Sequence, residues 1–183
     1  MKQPYVCPAE LAGSLDNSIR RLIQRPRKIL EPYISEGMTV LDLGCGPGYF
    51  TAELARLAGE GGRVIAADIQ QKMLDKMTLK IRAMGLEKRV DPFLCQPDRI
   101  GLEIKVDFVL AFWMVHEVPD QQRLFDELKS ILKPDGKILI IEPKFHVTGK
   151  SFENMAALLE SSGFRITGRP GVSLSRSVLL AVT

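Results

Sequence analysis

The chain has 183 residues, 45% of them hydrophobic and 26% charged, the proportions of a globular protein long enough to bury one core. Its net charge of +3 is too small to indicate a nucleic-acid partner by itself. No apolar run approaches the ~20 residues of a membrane span. The stretch MKQPYVCPAEL lacks the apolar core of a signal peptide, and the dispersed Cys7, Cys45 and Cys95 fit a reducing cytoplasm rather than a disulfide framework.

In chain order, Ile19, Leu22, Ile23, Ile29, Leu30 and Tyr33 recur at roughly helical spacing, and Pro26 breaks the run into two short helices or one kinked one. Arg20, Arg21, Arg25, Arg27 and Lys28 alternate with them as on the wet face of an amphipathic helix. A nucleic-acid groove is the competing, less favoured reading. TVLDL then reads as a strand and GCGPG as a turn. Phe50, Leu54, Leu57 and Ala58 form a helical stripe that GEGG stops. RVIAAD is a second strand. Met73, Leu74, Met77, Ile81 and Met84 mark a helix closed by Gly85. RVDPFLC is a third strand, which Pro92 assigns to a sheet edge, and VDFVLAF a fourth. Asp120 can cap a helix carrying Leu124, Leu128, Ile131 and Leu132, ended by KPDG; KILIIEP is the fifth strand. Ser151 can cap the last helix, which carries Phe152, Met155, Leu158 and Leu159 and ends at Gly163. FRITGR and SVLLAV follow. Alternating strands and helices specify a doubly wound, mostly parallel α/β sheet, and the last two strands, with no helix between them, should pair antiparallel.

The first turn carries Gly44, Gly46 and Gly48 behind Asp42. A dinucleotide fingerprint needs its third glycine one position later, and a carboxylate at the strand tip would repel a pyrophosphate. A phosphate-free ligand with an ammonium group, such as S-adenosylmethionine, suits the turn better. Asp68, ending the second strand, stands where an acid accepts hydrogen bonds from ribose hydroxyls. The competing reading makes the glycines a tight turn and Asp68 a helix cap.

Together, VLDLGCGPGYFT, VIAADI, FVLAFWMVHEVPD and LKPDGKILIIEP resemble a class I S-adenosylmethionine-dependent methyltransferase, from about Thr39 onward. The resemblance implies a Rossmann-like, seven-stranded sheet with an antiparallel last strand. It implies that Asp42, Gly44, Gly46 and Gly48 contact the methionine moiety, Asp68 the ribose and Ile69 the adenine. Cys45, Pro97 and Ala111 complete the implied cofactor set, although Cys45 also reads as a small buried residue. Gln96 stands where the family usually carries an acid after strand three; an amide can still pair with the adenine edge, and Asp98 is the fallback.

A sulfonium methyl group is already electrophilic, so the protein must align a nucleophile and, where needed, remove its proton. In open α/β sheets this happens beyond the C-terminal ends of the strands, which singles out FWMVHEV and EPKFHV. The only two histidines, His116 and His146, fall one in each segment, on strands that the resemblance makes neighbours. With Glu142 they are the catalytic candidates, as base, substrate positioner, or a metal site completed by Glu117, Glu142 or Cys7. No ligand spacing supports the metal version, and none is expected. His116 also reads as a pin for its loop, His146 as a substrate-side group, and Glu142 as a solvated side chain. Trp113 and Tyr49 read as pocket wall or core.

The loop over residues 143–150 is too short for a large lid, so closure falls to an N-terminal helical lid over 1–37, ahead of the methyltransferase domain over 38–183. No Asp/Asn-Pro-Pro-Tyr/Phe tetrapeptide and no cysteine nucleophile follows strand four, and no RNA-binding domain is evident. A small-molecule acceptor is therefore expected, with a tRNA or protein methyltransferase and a non-catalytic S-adenosylmethionine-binding module as alternatives. The expected enzyme is cytoplasmic, a monomer or homodimer, with no membrane partner.

Overall fold

A computed structural model describes residues 24–183 of the chain. Cys7, the positions from Ile19 to Ile23 and most of the expected lid lie outside these residues. Pro26 opens α1 (Pro26–Leu30), a position where its missing N–H leaves no bond unmade. The strands β1 (Thr39–Leu43), β2 (Arg63–Asp68), β3 (Val90–Leu94), β4 (Val106–Phe112), β5 (Leu132–Pro143), β6 (Phe164–Gly168) and β7 (Ser175–Val182) join in one sheet. Their order is β3-β2-β1-β4-β5-β7-β6, and β7 alone runs against its neighbours, as the missing helix predicts. Pro92 does lie on an edge strand, where its absent N–H interrupts no ladder on the outer side.

Four helices cover the sheet: α2 (Thr51–Ala58), α3 (Gln71–Ala83), α4 (Gln121–Ile131) and α5 (Gly149–Ser161). Successive strand residues face opposite ways. Leu41, Val109 and Ile140 accordingly pack with Phe125 of α4 and Phe152 of α5, whereas Val40, Phe108 and Leu139 pack with Leu54 of α2 and Met77 of α3. The chain therefore switches faces between β1 and β4, which opens a crevice at the C-terminal ends of these strands. No helix among the described residues is long and apolar enough to cross a membrane.

Two local expectations change. Asp120 caps α4 by accepting from Arg123 N at 3.0 Å, but α5 is capped by Thr148, whose Oγ1 accepts from Ser151 N at 3.1 Å. Gly149 and Lys150 already belong to that helix, so its start lies earlier than a cap at Ser151 would put it. The KPDG segment is enclosed within β5, because pairing with β4 jumps from Val106 opposite Leu132 to Phe108 opposite Lys137.

Candidate active site

The glycine turn is fastened to β2, since Gly44 N and Cys45 N both donate to the Ala67 carbonyl, at 2.8 and 3.0 Å. Gly44 has φ +69, and a Cβ there would lie 2.9 Å from Met114 Cβ and Cγ. Only a glycine lets the segment after β4 approach so closely. Gly46 differs: φ is +53, but a Cβ would meet nothing within 4 Å. The turn thus has an open floor at Gly46, a cradle that a side chain would fill and that a ligand can occupy.

Asp68 closes one end of this cradle. Its Oδ2 accepts from Gly46 N at 3.0 Å and its Oδ1 from Gln70 N at 2.9 Å, so it braces the turn and the entry to α3 together. Burial raises its pKa, against the bonds from Gln70 and Gly46. Ile69, 43% exposed, stands free beside it. Beyond β3, Gln96 and Pro97 are exposed, and Gln96 Oε1 accepts from Arg99 Nε at 2.8 Å. Asp98 is exposed and pairs with Arg123 at 3.1 Å.

Asp42 is not at the lip of the turn. Leu43 still follows it in β1, and the pleat points Asp42 toward α2, where its Oδ2 accepts from Thr51 Oγ1 at 2.6 Å. Only 2% of the residue is exposed, and burial pushes its carboxyl up to about 7, opposed by the Thr51 bond and reinforced by the charge of Asp68. Cys45 is buried, and burial with the Asp42 and Asp68 charges holds its thiol well above the usual range. Ala111 has no exposed surface and sits between Leu43 and Ile140 in the sheet, so its side chain belongs to the core.

The two histidines do converge. At the end of β5, Glu142 is wholly buried rather than solvated. Its Oε1 accepts from Val115 N at 2.9 Å, and its Oε2 is bonded to His116 Nδ1. The short 3-10 turn Val115–Glu117 therefore folds back onto the strand end and carries the imidazole with it. The hydrogen bond to Glu142 raises the His116 pKa, opposed by burial and aided by the charges of Glu142 and Glu117. A carboxylate only accepts, so neutral His116 carries its proton on Nδ1 and presents the Nε2 lone pair. The His146 ring lies against it, with centroids 5.8 Å apart and planes 16° from parallel.

Phe145, absent from the sequence-based candidates, is 63% exposed beside His146 at 5.3 Å and Trp113 at 5.1 Å. Its place within EPKFHV was the available signal. Trp113 has φ +58, takes its backbone bond from N to the Ile141 carbonyl at 2.7 Å, and donates from Nε1 to Ser175 Oγ at 3.0 Å. Tyr49 is buried, its hydroxyl donating to the Gln24 carbonyl at 2.7 Å. On α1, Arg27 pairs with Glu31 and Glu53 at 3.3 and 3.8 Å. Among the described residues no three His, Cys, Asp or Glu side chains group as a metal site requires.

A methyltransferase-domain family model matches residues 34–167. The chain is 38% identical over 112 residues to the demethylmenaquinone methyltransferase of Lactobacillus johnsonii, covering 60% of this chain and 45% of that protein. It is 32% identical over 110 residues to the ubiquinone/menaquinone biosynthesis C-methyltransferase UbiE of Klebsiella pneumoniae, covering 60% and 44%. The matched stretches span less than half the length of these curated relatives. The crystal structure of a SAM-dependent methyltransferase from Aquifex aeolicus superimposes with a TM-score of 0.88 at 28% identity, covering 97% of this chain and 100% of that one.

Proposed function

We propose, for a chain that belongs to the class I S-adenosylmethionine-dependent methyltransferases, that it passes the methyl group of S-adenosylmethionine to a small acceptor bearing an acidic proton. The observation that carries this reading is the bond between the buried Glu142 at the end of β5 and His116 beyond β4, two residues past the Met114 that packs on Gly44. A proton acceptor thereby stands next to a turn with an open cradle.

The bound cofactor supplies an electrophilic methyl group on a sulfonium sulfur. Space over Gly46 admits its methionine part, Asp68 accepts from its ribose hydroxyls, and Ile69 with Gln96 and Pro97 borders its adenine. Asp42, bonded to Thr51, fixes the start of α2 under the turn. Glu142 keeps the Nδ1 proton of His116 in place and so points Nε2 outward. With the cofactor bound, His116 Nε2 would take the acceptor's proton and hold the acceptor atom facing the methyl group that the cofactor would supply. His146 and Phe145 flank that position. The methylated acceptor leaves with S-adenosylhomocysteine, and the proton passes from His116 to water.

A hydroxylated ring suits this arrangement, because its face can lie on Phe145 while its hydroxyl reaches His116. The curated relatives, named for menaquinone and ubiquinone, support that class. The Tyr49 bond holds Gln24, at the start of the described residues, close to the glycine turn. The test offers methyl-labelled S-adenosylmethionine to the full chain with a metabolite extract and, separately, with total RNA. Label in the small-molecule fraction, lost in His116→Ala, is expected; label in the RNA overturns the reading.

A further inference from the structure

Leu174 occupies a position that suits glycine or asparagine better. Its φ is +59, a left-handed conformation that glycine and asparagine adopt with less strain than leucine. It is also 54% exposed, and it belongs to neither core cluster. A strained backbone and an apolar side chain left in water together mark a residue retained for something outside the fold.

Its surroundings indicate what that is. Lys144 N donates to the Leu174 carbonyl at 2.9 Å, tying the turn before β7 to the loop after β5. Phe145, 63% exposed, follows directly in that loop. Two apolar tips thus stand on neighbouring loops of the same rim. Those loops, KFHVTGK over 144–150 and GRPGVSLSR over 168–176, hold Lys144, Lys150, Arg169 and Arg176 and no carboxylate. Arg169 is bonded to Glu153, and Arg176 Nη1 donates to the Val147 carbonyl, whereas Lys144 and Lys150 are exposed.

We propose that this rim docks on the surface of an anionic phospholipid bilayer. Leu174 enters the headgroup boundary, the Lys144 and Lys150 ammonium groups meet lipid phosphates, and Phe145 lies beside them against Trp113 and His146. A nucleic acid would use the lysines, but only a bilayer offers the exposed Leu174 a continuous apolar phase to enter. The absence of a spanning helix among the described residues does not bear on this contact, which lies in the plane of the surface. Because it rests on Leu174 and the lysines, it can fail while the methyl-transfer reading stands.

The test is sedimentation of the full chain with vesicles of phosphatidylcholine mixed with phosphatidylglycerol, against phosphatidylcholine alone. Binding to the mixed vesicles that weakens with salt is expected. Lys144→Glu combined with Lys150→Glu should lower the partition at least about tenfold, and Leu174→Asn about tenfold. Leu174→Asn should melt no lower than the parent, since asparagine tolerates the left-handed backbone, so its loss of binding is not unfolding. Failure of the parent chain to sediment with the mixed vesicles overturns the proposal. So does retention of full binding by both variants, which would place the contact elsewhere.

Discussion

Glu142→Gln is the sharpest probe of the acceptor side, because it keeps the shape of the side chain and removes its charge. The amide oxygen can still accept from Val115 N, the bond that Oε1 makes at 2.9 Å. Its NH2 then faces His116 Nδ1, a donor against a donor, while the burial that lowers the imidazole's proton affinity stays. A hydrogen bond to a charged group contributes about 1.5–3 kcal/mol, and 1.36 kcal/mol is a tenfold change in proton affinity. With the ring 26% exposed, screening favours the lower end, so His116 should lose about tenfold or somewhat more. Its pKa should then move from above the ordinary value to below it. Proton NMR reads this directly: the chain has two histidines, hence two sets of ring resonances, and His146→Gln assigns them.

Stability should follow with a definite sign. A histidine whose folded pKa is raised contributes its stabilisation fully below its unfolded value, about 6.5, and loses it as pH rises through the folded value. The melting difference between parent and Glu142→Gln should therefore be largest below about pH 6 and shrink above it, at about 2–4 °C per kcal/mol for a chain of this length. A His116 titration that does not move on removing Glu142, with a melting difference flat in pH, would refute the pairing as the source of the basicity.

Asp68→Ala should weaken S-adenosylhomocysteine binding about ten- to a hundredfold by calorimetry, from lost bonds to a charged acceptor; unchanged affinity removes Asp68 from the ribose site. For Asp42, burial raises the folded value from 3.8 to about 7, so its stabilising contribution is present below 3.8 and lost as pH climbs toward 7. Ligand-free Asp42→Asn, which still accepts from Thr51, should match the parent near about pH 4 and melt higher near about pH 8; identical melting at both means that Asp42 ionises without penalty. Gly44→Ala should cost about 1–3 kcal/mol, from its left-handed φ and the 2.9 Å approach to Met114, and should shift the His116 resonances. Gly46→Ala, with open space at the Cβ, should leave His116 where it is and block the cofactor; indistinguishable effects of the two variants would break that distinction.

What was legible in the sequence follows from which interactions are local. The RVIAAD and VDFVLAF runs match β2 and β4 end to end, because strands buried on both faces read as unbroken apolar stretches with polar stops. Pattern points to Ser151 as the cap of α5, yet Thr148 precedes the same apolar stripe, and only backbone geometry gives it the role. Asp42 could have been placed correctly. Counting the β1 pleat from Val40 turns it toward α2, where Thr51 waits nine residues on. The convergence of His116 and His146 was readable from topology alone, because adjacent strands deliver adjacent loops. Glu142 was not, since nothing near it in the chain announces a partner 26 residues away. Its burial depends on the left-handed backbone of Trp113, which turns the chain after β4 so that Val115 and His116 come back over β5. The same turn seats Met114 on Gly44. One short segment, 113–117, therefore sets both the position of His116 and the fit of the glycine turn. A change on either side of the crevice should for that reason be felt on the other.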